Sequence, residues 1–140
     1  MEKKHIAKVA ELESECFSEP WSEEGLSAEL TKSEARFFVC ENEGELAGYM
    51  GMHIILDECY ITNVAVFPQL RRKGIGEALV SHCVKKAAEE GCSFISLEVR
   101  VSNSAAIALY EKLGFERVGE RKNFYSRPTE NGLIMTRNLG

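Results

Sequence analysis

The stretch from Asn63 to Ala88 constrains this chain most, because it reads as a strand, a tight basic turn and a helix in direct succession. It opens Asn63-Val64-Ala65-Val66, continues Phe67-Pro68-Gln69-Leu70, turns at Arg71-Arg72-Lys73-Gly74-Ile75-Gly76, and becomes helical from Glu77. Val64 and Val66 suit a strand, and Pro68 stops it because proline has no N–H for a ladder. Two glycines one residue apart let the backbone turn tightly and bring its amides close to a ligand. The helix that follows begins with unpaired N–H groups and about half a unit of positive charge, which favours phosphate. Arg71, Arg72 and Lys73 add donors and charge. The stretch is therefore expected to be a pyrophosphate-binding turn, set against the plainer reading of a solvated basic turn before an ordinary helix.

Two named phosphate motifs are excluded. A P-loop places Lys and Ser or Thr directly after its second glycine, where this chain has Glu77-Ala78. A dinucleotide fingerprint needs a third Gly or Ala where Leu79 stands. At 140 residues the chain is expected to form one domain over residues 1–140 with a real core. Its net charge of −5 argues against a general nucleic-acid binder. The five cysteines, Cys16, Cys40, Cys59, Cys83 and Cys92, show no C-x-x-C spacing and read as reduced thiols, and His5, His53 and His82 form no ligand cluster, so no metal is expected. With no apolar run near the roughly 18 residues of a membrane span and no signal peptide at its start, the chain is expected in the cytoplasm, as a monomer or weak dimer away from membranes.

In chain order, His5 to Phe17 reads as a helix with Ile6, Val9, Leu12 and Cys16 at helical spacing. Pro20-Trp21 breaks it, and Ser22 caps a short second helix carrying Glu23 and Glu24 in its first turn. Trp21 has two readings, packing against the sheet or lining a substrate. Strands are expected over Arg36 to Glu41, Leu46 to Leu56 and Cys59 to Val66, joined by short turns and hence an antiparallel meander. The helix over Gly74 to Glu90 and the strand over Phe94 to Val101 imply parallel pairing with the third strand. A helix from Ser104 to Leu113 and strands over Phe115 to Glu120 and Leu133 to Leu139 complete the chain, with Arg121 to Gly132 read as a polar loop. The fold class is α/β (α+β): a mixed, mostly antiparallel sheet with a central parallel pair, flanked by helices.

Three residues stand out chemically. Glu98 lies in the apolar strand Ser96-Leu97-Glu98-Val99-Arg100, on the face of Ser96 and Arg100. A carboxylate there needs a charged partner or a job, and the plain reading is an ion pair with Arg100 or an arginine of the phosphate turn. Asn103 and Tyr110 are two helical turns apart and project from one face, toward the carboxyl ends of the parallel strands where ligands commonly bind. For Tyr110 the plain reading is a half-buried aromatic.

Arg71 to Gly76 resembles the Arg/Gln-x-x-Gly-x-Gly/Ala signature of the GNAT acetyltransferase superfamily. The run from Leu97 to Phe115, with Pro20-Trp21-Ser22, Asn63-Val64-Ala65-Val66 and Asn123-Phe124-Tyr125, is similar to the RimI-type N-acetyltransferases, which acetylate the N-terminal alanine of a small-subunit ribosomal protein, protein eighteen. The matches span nearly the whole chain in order. The resemblance implies a GNAT fold, acetyl-coenzyme A as co-substrate and a protein N-terminus as acceptor. By it, Val64, Ala65 and Val66 would bond the pantetheine arm, the turn from Arg71 through Gly74, Ile75 and Gly76 to Glu77 the pyrophosphate, and Asn103 the coenzyme. Glu98 would be the general base, Tyr110 the general acid beside the coenzyme, and Trp21, Phe124 and Tyr125 would meet the acceptor peptide. The family opens with a strand before its first helix, whereas only Met1 to Lys4 precede His5 here, which leaves the sheet edge open. The competing functions are acetyl transfer to a lysine, polyamine or small-molecule amine, and coenzyme A binding without catalysis; the presence of Glu98 and Tyr110 weighs against the latter.

Overall fold

The structure, a computed structural model, describes residues 1–140 apart from Ser18, Arg72 and Lys73. After a 3-10 turn at Lys3–His5 the elements run α1 (Ile6–Cys16), α2 (Glu23–Glu29), β1 (Ala35–Asn42), β2 (Glu45–Ile55), β3 (Glu58–Val66), α3 (Ile75–Glu89), β4 (Phe94–Arg100), α4 (Ser104–Lys112), β5 (Glu116–Tyr125) and β6 (Glu130–Asn138). The sheet order is β1-β2-β3-β4-β6-β5, with β3 and β4 parallel and the other neighbours antiparallel. The meander and the crossover through α3 both follow the sequence expectation. Glu43 and Gly44 turn the β1–β2 hairpin at φ values of 53° and 81°, the doubly left-handed geometry that two-residue hairpin loops favour.

The two sheet faces are covered by different helices. Ile75, Leu79, Val80, Cys83, Val84 and Ala87 of α3 pack on Met50, Met52, Cys59, Ile95 and Leu97, and Ile107 and Tyr110 of α4 join that cluster. On the other face Ile6, Val9 and Leu12 of α1 and Leu26 of α2 cover Phe37, Tyr49, Ala65 and Phe67. Leu12 is fully buried, a burial that contributes roughly 1.5–3 kcal/mol for a side chain of this kind. All five cysteines are free thiols. Among the described residues no strand precedes α1; β1 forms one edge of the sheet, and the Met1 ammonium donates to the Phe37 carbonyl at 2.9 Å.

One sequence expectation is corrected. The segment read as a polar loop, Arg121 to Gly132, is mostly strand, because β5 runs on to Tyr125 and β6 begins at Glu130. Every residue of β5 before Tyr125 is exposed, so this edge strand shows no alternation of apolar and polar positions. Register shifts between Arg117 and Gly119 and between Arg121 and Tyr125 remove any remaining period, with Asn123 at a φ of 52° inside the second.

Candidate active site at the parting of the parallel strands

The parallel ladder is short. Glu58, Cys59 and Tyr60 pair with Phe94, Ile95 and Ser96, and there the register ends, although β3 continues to Val66 and β4 to Arg100. Each strand stays bonded to its outer neighbour, Val66 opposite Gly48 and Arg100 opposite Gly132, so the sheet parts between them as a wedge. A bulge accounts for the divergence: Gly51 faces Asn63 and Met52 faces Ile61, which leaves Thr62 without a partner and bends β3 away. Val64, Ala65 and Val66 thus border the wedge with one backbone edge free of any sheet neighbour among the described residues.

The start of α3 stands beside Val66. Gly74 is its N-cap at a φ of 77°, and a Cβ there would meet nothing within 4 Å. The helix's first backbone bond runs from Ala78 N to Gly74 O, so the N–H groups of Ile75, Gly76 and Glu77 have no intrahelical partner. At Gly76 a Cβ would come no nearer than 3.7 Å to Leu109 and 3.9 Å to Val66, so this glycine looks between α4 and β3. Ile75 has its side chain in the core, and only its backbone can serve a ligand. Arg71 is exposed and folds back over the surface: its Nε donates to Val66 O at 3.3 Å and its Nη2 to Cys16 Sγ at 3.3 Å, tying the turn to α1. Glu77 is paired with Lys112 at 3.1 Å. Arg72 and Lys73, expected in the pyrophosphate set, lie outside the described residues.

The far side of the wedge is β4. Alternation places Ile95, Leu97 and Val99 in the α3 cluster and Ser96, Glu98 and Arg100 on the opposite face. Glu98 is half-buried. Its Oε1 accepts from Arg121 Nε at 2.9 Å, while its Oε2 is buried with no hydrogen-bond partner among the described residues. The cation comes from β5, not from Arg100 or the phosphate turn as the plain sequence reading had it. Arg100 instead grips the β5–β6 turn, donating to Ser126 O and Pro128 O at 2.9 Å each, pairing with Glu130 at 3.3 Å and lying 4.7 Å over the Tyr125 ring.

Tyr110 is buried on α4 against Phe115, and burial first, then the nearby Tyr125, push its phenol up to about 12. Tyr125 is likewise raised to about 12, by burial first and next by the Glu98 carboxylate. Tyr125 therefore lies within electrostatic reach of both Glu98 and Tyr110. Phe124 is half exposed, edge-on to Tyr125 at 5.0 Å, and 5.7 Å from the Arg121 guanidinium. Asn103 is exposed and caps α4, its Oδ1 accepting from Ala106 N at 3.2 Å, and its amide N–H groups have no partner among the described residues.

Trp21 is set in a polar cluster that the sequence did not reveal. Its backbone N–H donates to Glu13 Oε1 at 2.9 Å, and its ring covers Gly25, where a Cβ would lie 3.0 Å away. Glu13, 1% exposed, also accepts from the Tyr49 hydroxyl at 2.5 Å. The Asn63 amide is fully satisfied with its oxygen facing Trp21 Nε1 at 3.1 Å and its nitrogen facing Thr62 Oγ1 at 2.8 Å. The contacts Trp21 makes are internal ones, to Glu13, Gly25 and Asn63. The loop after α1 also touches the far side of the wedge, where the Ser126 hydroxyl donates to Glu19.

A mixed sheet that parts at its parallel pair, with a helix start at the parting, has the architecture of an acetyltransferase. The chain belongs to the Acetyltransferase (GNAT) family, whose sequence profile matches residues 6–115. A Bacillus subtilis (strain 168) relative is 40% identical over 131 residues, covering 93% of this chain and 87% of that protein. An Escherichia coli (strain K12) relative named [Ribosomal protein bS18]-alanine N-acetyltransferase is 37% identical over 121 residues, covering 86% of this chain and 80% of its own. The crystal structure of the Escherichia coli ribosomal-protein-S18-alanine N-acetyltransferase superposes with a TM-score of 0.91 at 32% identity, covering 100% of this chain and 91% of that one. These likenesses bear out the GNAT fold and the RimI-type resemblance.

Proposed function

We propose that this protein transfers the acetyl group of acetyl-coenzyme A to the N-terminal α-amine of a ribosomal protein, the alanine of bS18, and so works in the cytoplasm. The observation that carries the mechanism is Glu98 Oε2, a buried acceptor without a hydrogen-bond partner among the described residues, on β4 where the parallel strands have parted. The name of the Escherichia coli relative supplies the acceptor.

The residues at the wedge fit acetyl-coenzyme A. The unpaired N–H groups of Ile75, Gly76 and Glu77 suit its pyrophosphate, the edge of Val64 to Val66 that has no sheet neighbour among the described residues suits its pantetheine amides, and Asn103 can donate. When bound, this co-substrate supplies the acetyl thioester to be transferred. An α-amine with a pKa of about 7.7–8.0 is largely protonated at neutral pH, so Glu98 takes its proton before attack. Tyr110, protonated throughout the neutral range, donates to the leaving sulfur as general acid. A thiol titrates near 8.5, so a phenol raised to about 12 acts chiefly by hydrogen bonding and yields its proton late. Phe124 and Tyr125 line the acceptor side.

Glu98→Gln keeps the size of the side chain and removes the proton acceptor. The variant should bind acetyl-coenzyme A normally and acetylate an Ala-starting peptide roughly 10²–10⁴-fold more slowly at pH 6.5. The deficit should shrink toward pH 9, as more of the amine arrives deprotonated. Full turnover at pH 6.5 would remove Glu98 from the mechanism. An N-acetylated peptide with an internal lysine, run alongside, tests the lysine-acetylating alternative, and its faster turnover would overturn the acceptor assignment.

A further inference from the structure

We propose that Arg121 is a positioning residue for Glu98: its guanidinium fixes the carboxylate so that Oε2 alone is presented to the acceptor amine. The inference rests on reading Glu98 as the base. Arg121 Nε meets Glu98 Oε1 at 2.9 Å, with the arginine side chain 60% exposed and the glutamate 22%. An ion pair this open contributes about 0–1 kcal/mol to stability, so stability is a poor account of its placement. Its geometric effect is larger. The last torsion of a glutamate is broad, so an unbraced carboxylate samples a wide range of planes and seldom aims an oxygen at one fixed point. A planar guanidinium bonded to Oε1 selects one orientation and leaves Oε2 buried and unmet among the described residues.

The arginine is itself braced. Its Cζ lies 5.7 Å from the centroid of the Phe124 ring, and that ring packs over Gly132, where a Cβ would be 3.1 Å from Phe124 Cδ2. Gly132 is the register partner of Arg121 on one side and of Arg100 on the other, so the three lie in line across β5, β6 and β4. A side chain at Gly132 would displace Phe124 and unseat the guanidinium. Arg100, two residues from Glu98 on β4, has its guanidinium committed to the β5–β6 turn. The bracing cation for the base therefore comes from the edge strand. Phe124, expected to meet the acceptor peptide, also acts through Arg121.

The test is steady-state acetylation of an Ala-starting peptide by the full chain and by Arg121→Ala, Arg121→Lys, Glu98→Gln and Glu98→Gln/Arg121→Ala, each with its melting temperature. Arg121→Ala should lower kcat by roughly 10–100-fold, the scale of a misplaced catalytic group, with the melting temperature unchanged. Its KM for acetyl-coenzyme A should stay within about twofold. Arg121→Lys keeps a cation without the planar fork and should recover part of the loss. In the Glu98→Gln background, adding Arg121→Ala should cost less than about twofold, because the group it positions is already absent. Wild-type kcat in Arg121→Ala beside an inactive Glu98→Gln overturns this inference and leaves the base standing. An equal loss in both backgrounds, or one that tracks melting, also overturns it. A fully active Glu98→Gln removes the base and the inference with it.

Discussion

Tyr110 combines two properties seldom met on a solvated helix: a buried ring and a phenol raised to about 12. Tyr110→Phe keeps the ring and removes the hydroxyl, so kcat should fall by roughly 10²–10⁴-fold with the KM for acetyl-coenzyme A little changed. The same substitution has a signature in stability. An unfolded tyrosine ionises near 10 and this one near 12, so below pH 10 the phenol is neutral in both states and adds no pH dependence to stability. Between pH 10 and 12 the unfolded state releases its proton and the folded state does not, so wild-type stability falls as pH rises. Tyr110→Phe should therefore melt progressively higher relative to wild type across that interval, and a constant difference would show that the phenol is not shielded. Glu98 and Tyr110 were legible in the sequence only as candidates, an acid within an apolar strand and a tyrosine two turns from a helix cap, and their proposed roles come from the family resemblance. Arg121 and Glu13 were not, since their partners stand 23 and 36 residues away, at Glu98 and Tyr49, and strand alternation carries no record of pairing across a sheet.

Among the elements, the turn into α3 was the most legible, because glycine at a left-handed position and an uncapped helix start are local facts. The structure separates its two glycines. Gly74 needs its φ of 77°, whereas Gly76 is an ordinary first-turn residue with open space beside Val66 and Leu109. Gly74→Ala should thus lose about 1–2 kcal/mol of stability, the cost of a left-handed non-glycine residue. Gly76→Asp should leave melting nearly unchanged and abolish acetyl-coenzyme A binding, by placing a carboxylate where the pyrophosphate is expected. Calorimetric titration of folded Gly76→Asp with wild-type affinity would relocate the pyrophosphate. The β5–β6 arm was the least legible element. An edge strand exposed on both faces has no buried positions to create a period, and its two register shifts scramble what remains. Its residues read as loop because only pairing with β6 makes them strand.

At the scale of the whole molecule, the parting of β3 from β4 divides the site between two substructures. The side proposed to hold the coenzyme is built from β3 and the start of α3, which are held to β2 and the apolar cluster. The side proposed to meet the acceptor is built from β4 and the β5–β6 arm, whose turn is secured to β4 through Arg100. Strand order alone does not reveal this division; it follows from where the parallel register stops, and that depends on the unpaired Thr62. The two sides should consequently respond separately to substitution. Arg100→Ala releases Ser126 O, Pro128 O and Glu130 together and removes the cation over the Tyr125 ring. A net loss of about 1.5 kcal/mol, the low end for a hydrogen bond to a charged group, corresponds to a little over tenfold in affinity. The acceptor-peptide KM should therefore rise about tenfold while the calorimetric Kd for acetyl-coenzyme A holds. Backbone amides over residues 121–130 should exchange faster, as expected of an arm that has lost its anchor. If acetyl-coenzyme A affinity fell in parallel with the acceptor KM, the two sides would be one mechanical unit and the division at the wedge would be wrong.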